Sequence, residues 1–78
     1  MTDWEYWKID GRSADIKVVV KTPNEKDEVF YFTYWDDAWK WYLQHSRYYK
    51  ELGIRKYYEF NRRFFNKSWF CAEAHKNY

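Results

Sequence analysis

Residues 29–53, VFYFTYWDDAWKWYLQHSRYYKELG, decide the fold, because the apolar pattern changes its period inside them. Residues 29–35 are almost all β-branched or aromatic, the types that suit a pleated, half-buried surface. With successive side chains on opposite faces, Phe30, Phe32 and Tyr34 point one way, and Val29, Tyr31, Thr33 and Trp35 the other. Asp36 and Asp37 then stop the strand. A short carboxylate accepts the free N–H groups of a first helical turn, and its charge suits the positive end of the helix dipole. From Ala38 onward, steps of about 100° gather Ala38, Tyr42, His45, Tyr49 and Leu52 into one stripe. Trp41 and Tyr48 flank that stripe on one edge, Trp39 and Ser46 on the other, while Lys40, Gln44, Arg47 and Glu51 fall opposite. Lys50 lies near the negative end of the dipole, and Gly53 supplies the left-handed residue that ends a helix. The stretch therefore reads as a strand running directly into an amphipathic helix over residues 37–52. The apolar stripe has one destination, the face of a sheet.

Upstream, residues 4–9 alternate loosely and read as a first strand, and Asp10-Gly11-Arg12-Ser13 is a turn signal. Residues 14–22 form a second strand, with Ile16, Val18 and Val20 inward and Asp15, Lys17 and Lys21 outward. Residues 22–27 make a charged hairpin loop, so three strands in a meander precede the helix. Downstream, Ile54, Tyr57, Tyr58, Asn61, Phe64 and Phe65 fit helical spacing, with Phe60 misplaced. As a strand, Tyr58, Phe60 and Phe64 alternate with Glu59, Asn61 and Arg63, and Arg62 is the misfit. The helix stop at Gly53, the richness in Tyr and Phe, and the lack of Ala, Leu and Met favour strands. A turn at Asn66-Lys67-Ser68 then returns the chain through residues 69–74. The expectation is a single α+β domain over residues 1–78: a small antiparallel sheet with one helix packed on a face, in the order β-β-β-α-β-β. The alternative is β-β-β-α-α.

Composition limits what such a domain can be. The chain has 78 residues, 27% aromatic and 33% charged, with two glycines, one proline and one cysteine, a composition that argues against disorder and excludes an internal disulfide. It holds no apolar run long enough to span a bilayer and begins with no basic–apolar signal segment, which makes the cytoplasm (the host's, for a phage-encoded chain) the default compartment. So many rings exceed what a small core can enclose, and the excess predicts a homodimer or a partner-binding face. Charge is uneven: residues 1–39 hold five Lys/Arg against nine Asp/Glu, and residues 40–78 hold nine against three. Only the second half can offer a basic face.

Several chemistries lack their residues. Two isolated glycines cannot build a phosphate loop. Cys71 and His75 offer two metal ligands where zinc takes four, and the bland reading puts Cys71 in the core and His75 in a solvated tail. His45 and Ser46 are adjacent on a helix and point about 100° apart, so they form no nucleophile–base pair. His45 is instead expected beneath the helix, with a hydrogen-bond partner. The sequence predicts no catalytic residue, no metal and no cofactor, and a function exerted by occupying a surface.

Two partner classes follow. A protein partner would meet Trp7, Trp41 and Tyr48, Tyr and Trp being enriched at interface hot spots, with carboxylates such as Asp15 and Glu25 alongside. A single-stranded nucleic acid would meet Arg55, Lys56, Arg62, Arg63 and Lys67, interleaved with Tyr57, since cations draw in phosphates and rings stack on unpaired bases. In style the chain resembles small phage-encoded accessory proteins, which are short, aromatic, charged and glycine-poor, with one helix on a small antiparallel sheet. That resemblance matches no motif residue by residue and carries over no site residues. It implies an inhibitor or adaptor that occupies the surface of a host or defence protein, such as a nucleic-acid-binding groove. It favours the protein-binding reading.

Overall fold

The computed structural model describes residues 14–64 and 68–78. The strand expected over residues 4–9, the turn after it, and Asn66 and Lys67 lie outside the described residues. The described chain is an α+β unit built as β1 (Ile16–Lys21), β2 (Glu28–Phe32), α1 (Trp35–Glu51), β3 (Tyr57–Arg62) and β4 (Phe70–Lys76).

The strands form one antiparallel sheet in the order β2-β1-β3-β4. β1 and β2 are joined by the turn at residues 22–25, where Glu25 N–H donates to the Thr22 carbonyl at 3.1 Å. Asn24 there has φ 65°, which with Pro23 before it gives a type II turn. The expected meander is broken after β2. α1 carries the chain across one face of the sheet, and β3 enters on the other side of β1. Both β2 and β3 run antiparallel to β1, so they run parallel to each other.

The core lies between α1 and the face carrying Ile16, Val18, Val20, Phe30, Phe32, Tyr58 and Phe60. This is the two-residue alternation read from the sequence, and it settles the last segment as a hairpin rather than a second helix. Arg62, the misfit of that strand, has its guanidinium carbon 5.0 Å from the Trp35 ring centre, where its charge faces π-electrons.

Three helical details depart from expectation. α1 begins at Trp35, and its N-cap residue Tyr34 makes no side-chain cap, so Asp36 and Asp37 lie inside the first turn and act on the dipole only. A side-chain cap is worth about 1 kcal/mol. Starting earlier sets Trp35 against Phe60, with ring centres 5.3 Å apart, and burial of that order outweighs the cap. Leu52, assigned to the apolar stripe, is 55% exposed because it is the C-cap residue beyond the last turn.

Trp41, placed at the stripe's edge and chosen as a surface anchor, is fully buried. Its ring lies 4.8 Å from Phe30, 5.3 Å from Phe32 and 5.9 Å from Tyr58. Its indole N–H has no hydrogen-bond partner among the described residues. Leaving that group unpaired costs about 1–3 kcal/mol, whereas burying an indole at about 25 cal/mol per Å2 contributes roughly 4–6 kcal/mol, so burial wins. His45 is buried under α1 as expected, its Nδ1 2.6 Å from the Tyr58 hydroxyl.

The helix stops as read. Gly53 has φ 75°, its N–H donates to the Lys50 carbonyl at 3.0 Å, and Ile54 N–H donates to the Tyr49 carbonyl at 2.9 Å. These are the two bonds of a Schellman motif.

Candidate functional site

Where the helix ends, β3 begins and β4 finishes, the chain is tied together by Asn77. Its Oδ1 accepts Lys56 N–H at 2.8 Å, and its Nδ2 donates to the carbonyls of Ile54 at 2.9 Å and Ser46 at 3.4 Å. Its own N–H donates to the Lys56 carbonyl at 3.2 Å. The residue is buried, and every bond it makes replaces water on a backbone group that the converging elements would otherwise leave unpaired.

Beyond that clip lies an open groove made of three depressions, of about 400, 340 and 180 Å3, each bounded by Tyr78. The described residues lining them include six cations, Lys21, Arg47, Lys50, Arg55, Lys56 and Lys76, and no acidic side chain. Two of the six are occupied. Lys21 pairs with Glu59 at 3.4 Å. Lys56, buried, donates to Thr22 Oγ1 at 2.8 Å, approaches Glu28 at 3.9 Å and lies 4.2 Å from the Tyr49 ring centre. Arg47, Lys50, Arg55 and Lys76 have no ion-pair partner among the described residues. At this end of α1 the Ser46, Tyr48, Tyr49 and Lys50 carbonyls accept from Asn77, Leu52, Ile54 and Gly53 respectively. The cations therefore set the sign of the potential.

The residues named for nucleic acid are divided by β3. Arg55, exposed, and Tyr57, half-buried, line the groove with Lys56, which is spent on the fold. Arg62 and Arg63 sit at the other end of the strand, about 20 Å away at 3.3 Å per residue. There Arg63 donates from Nε to the Ala14 carbonyl at 2.9 Å and from its backbone to the Asp15 carbonyl at 3.0 Å, with its guanidinium 4.4 Å from Trp69. Lys67 lies outside the described residues.

The residues named for a protein partner are also scattered. Trp7 lies outside the described residues, and Trp41 is in the core. Tyr48 is exposed on α1, while Asp15 and Glu25 are exposed at opposite ends of β1. Sequence reasoning missed Arg47, Lys50, Lys76, Asn77 and Tyr78 as one group. They come from elements far apart in the chain, and no local spacing signals their meeting.

Cys71 and His75 take places opposite to those expected. Cys71 is exposed, and His75 packs on Trp39, Tyr42 and Phe60 with Nε2 2.9 Å from Glu73. A bulge at Ala72 shifts the β3–β4 register, setting Cys71 across from Asn61 and His75 across from Tyr58, on opposite faces of the sheet. No group of three or more His, Cys, Asp or Glu side chains with metal-holding geometry occurs among the described residues. No described helix is long and apolar enough to cross a membrane. Burial pushes the Tyr58 hydroxyl to ionise well above the ordinary tyrosine range, and nearby Tyr42, Tyr49 and Glu28 add to the shift.

No protein family model matches the chain, and comparison with curated proteins and with solved structures finds no match either.

Proposed function

We propose that the protein is a non-enzymatic binding module that takes a nucleic-acid strand in the groove around Tyr78. What supports this reading is the convergence of Arg47, Lys50, Arg55 and Lys76, which have no ion-pair partner among the described residues, on a groove whose described lining holds no acidic side chain. Phosphates release counterions when such side chains neutralise them, which drives association without any chemistry on the ligand. Fluorescence anisotropy of a labelled oligonucleotide at about 50 and 200 mM salt tests it. Four phosphate contacts at a slope of about 0.7 each give roughly a 50-fold loss of affinity over that range. Replacing Arg47 and Lys50 together by Ala should lower the slope by about 1.4. Absence of binding at low salt in the folded protein would sink the proposal.

A second reading, a protein-binding module of the inhibitor type, draws on the far end of β3. Phe64 and Phe70 are 54% and 47% exposed with ring centres 6.1 Å apart, and Arg62 reaches over both Phe64 and Trp35. Arg and aromatic side chains of this kind anchor interfaces, and a second copy of the chain is the simplest partner. Sedimentation of the Phe64→Ser, Phe70→Ser double variant decides it: an unchanged mass distribution removes the homodimer.

A further inference from the structure

Tyr78 stands between the two larger depressions of the groove, two troughs that meet in the smallest, which Lys50 and Arg55 both line. On the helix side lie Arg47, Lys50 and Lys76; on the side of the β1–β2 turn lie Lys21 and Arg55. The ring between them is 60% exposed. The Arg55 guanidinium carbon and the Lys76 ammonium are each 5.4 Å from its centre. Both cations lie over the ring at cation–π range, yet most of the ring stays open to solvent.

We infer that the ligand is a single strand laid across Tyr78, with one base stacked on the ring and the phosphates on either side of that base held in the two troughs. This rests on the groove being a nucleic-acid site and adds strand state and mode of binding. A duplex keeps its base planes inside the stack and cannot offer one to a ring. A single strand offers a face at each nucleotide. The ring is held ready for it, because four hydrogen bonds fix the preceding residue, Asn77.

The same bonds determine what the site ignores. Asn77 is the one amide side chain among the described residues lining the groove, and both its oxygen and its nitrogen are engaged within the fold. Reading adenine bidentately takes a free amide donor–acceptor pair, so the site has no such reader for adenine, and any preference its arginines add is for guanine.

The test uses the full chain with three probes: an oligothymidylate of about eight nucleotides, a duplex of the same length, and inorganic polyphosphate. The protein should hold the single strand at least ten times more tightly than the duplex, and oligoadenylate and oligocytidylate should match oligothymidylate within a few-fold. Tyr78→Ala should weaken the single strand by about 5- to 100-fold, leave polyphosphate unchanged, and be rescued by Tyr78→Phe. Equal affinity for duplex and single strand overturns the inference, as does a Tyr78→Ala loss that is the same for polyphosphate. Binding of every probe, unaltered in both variants, leaves the groove as an anion site and removes the stacked base. Failure of all probes to bind removes the groove itself.

Discussion

The two ends of β3 are made of the same materials and use them differently. At the Arg62–Arg63 end, Arg63 is consumed by the fold, on the Ala14 carbonyl and over Trp69, and Arg62 lies over Trp35 and Phe64. At the Arg55 end the buried Lys56 does the structural work, Arg55 and Lys76 lie over Tyr78, and with Arg47 and Lys50 they line an open groove. A run of cations and rings is therefore a poor pointer to a binding site. What distinguishes the ends is where each cation's hydrogen bonds and ion pairs already go.

The comparison breaks most severely at Asn77. Asn77→Ala leaves the Lys56 N–H and the Ile54 and Ser46 carbonyls without their partner, and chemical denaturation should show a loss of about 1–3 kcal/mol. Because Tyr78 is then released, oligonucleotide affinity should fall as well. Loss of stability with unchanged affinity would show that the clip does not position the ring.

Beneath the same end, Tyr58 gives a pH test. Its pKa in the fold is raised above the ordinary 10.0, chiefly by burial. Below pH 10.0 the hydroxyl is protonated in both folded and unfolded chains, and stability does not depend on it. As pH rises through that value the unfolded chain ionises first, and stability falls by as much as about 1 kcal/mol per unit. Tyr58→Phe should flatten the urea midpoint against pH between 10 and 11 without abolishing the slope, since Tyr42 and Tyr49 are shifted the same way. An identical slope in the variant would refute the assignment.

The smallest expected effect is at the far end. Arg62→Ala removes a cation from two ring faces, worth about 0.5–1 kcal/mol of stability, and should leave oligonucleotide affinity alone. A fall in affinity equal to that of the groove variants would erase the distinction between the ends.

Much of the fold could be read in advance because burial imposes a period. Ile16, Val18 and Val20 alternate, Phe30 and Phe32 alternate, and Gly53 ends the helix as a residue free to take positive φ. Period says which face a residue takes but not what that face meets. Trp41 and Leu52 were misjudged for that reason: the sheet lies under the middle of α1, so the ring beside the stripe became its centre and the last leucine overhung it. Strand order was equally hidden, since alternation carries no record of neighbours. The site was half legible. Arg55 and Tyr57 were named, but they were merged with Arg62 and Arg63, although a strand sets residues six or seven positions apart about 20 Å from one another.

The position of β3 has a consequence in time. β1 and β2 can zip together as a local hairpin, and α1 follows at once in the chain. Yet β3 is a central strand whose contacts with β1 join residues as far apart as Lys21 with Tyr57 and Ile16 with Arg62. Until it arrives, Val18, Val20 and Trp41 have no Tyr58 or Phe60 to lie against. Closing so long a loop precedes the reward of burial, which makes the insertion of β3 the slow step expected of this topology. On a ribosome, the first two strands and the helix would wait as an open-sided intermediate until the final hairpin emerged.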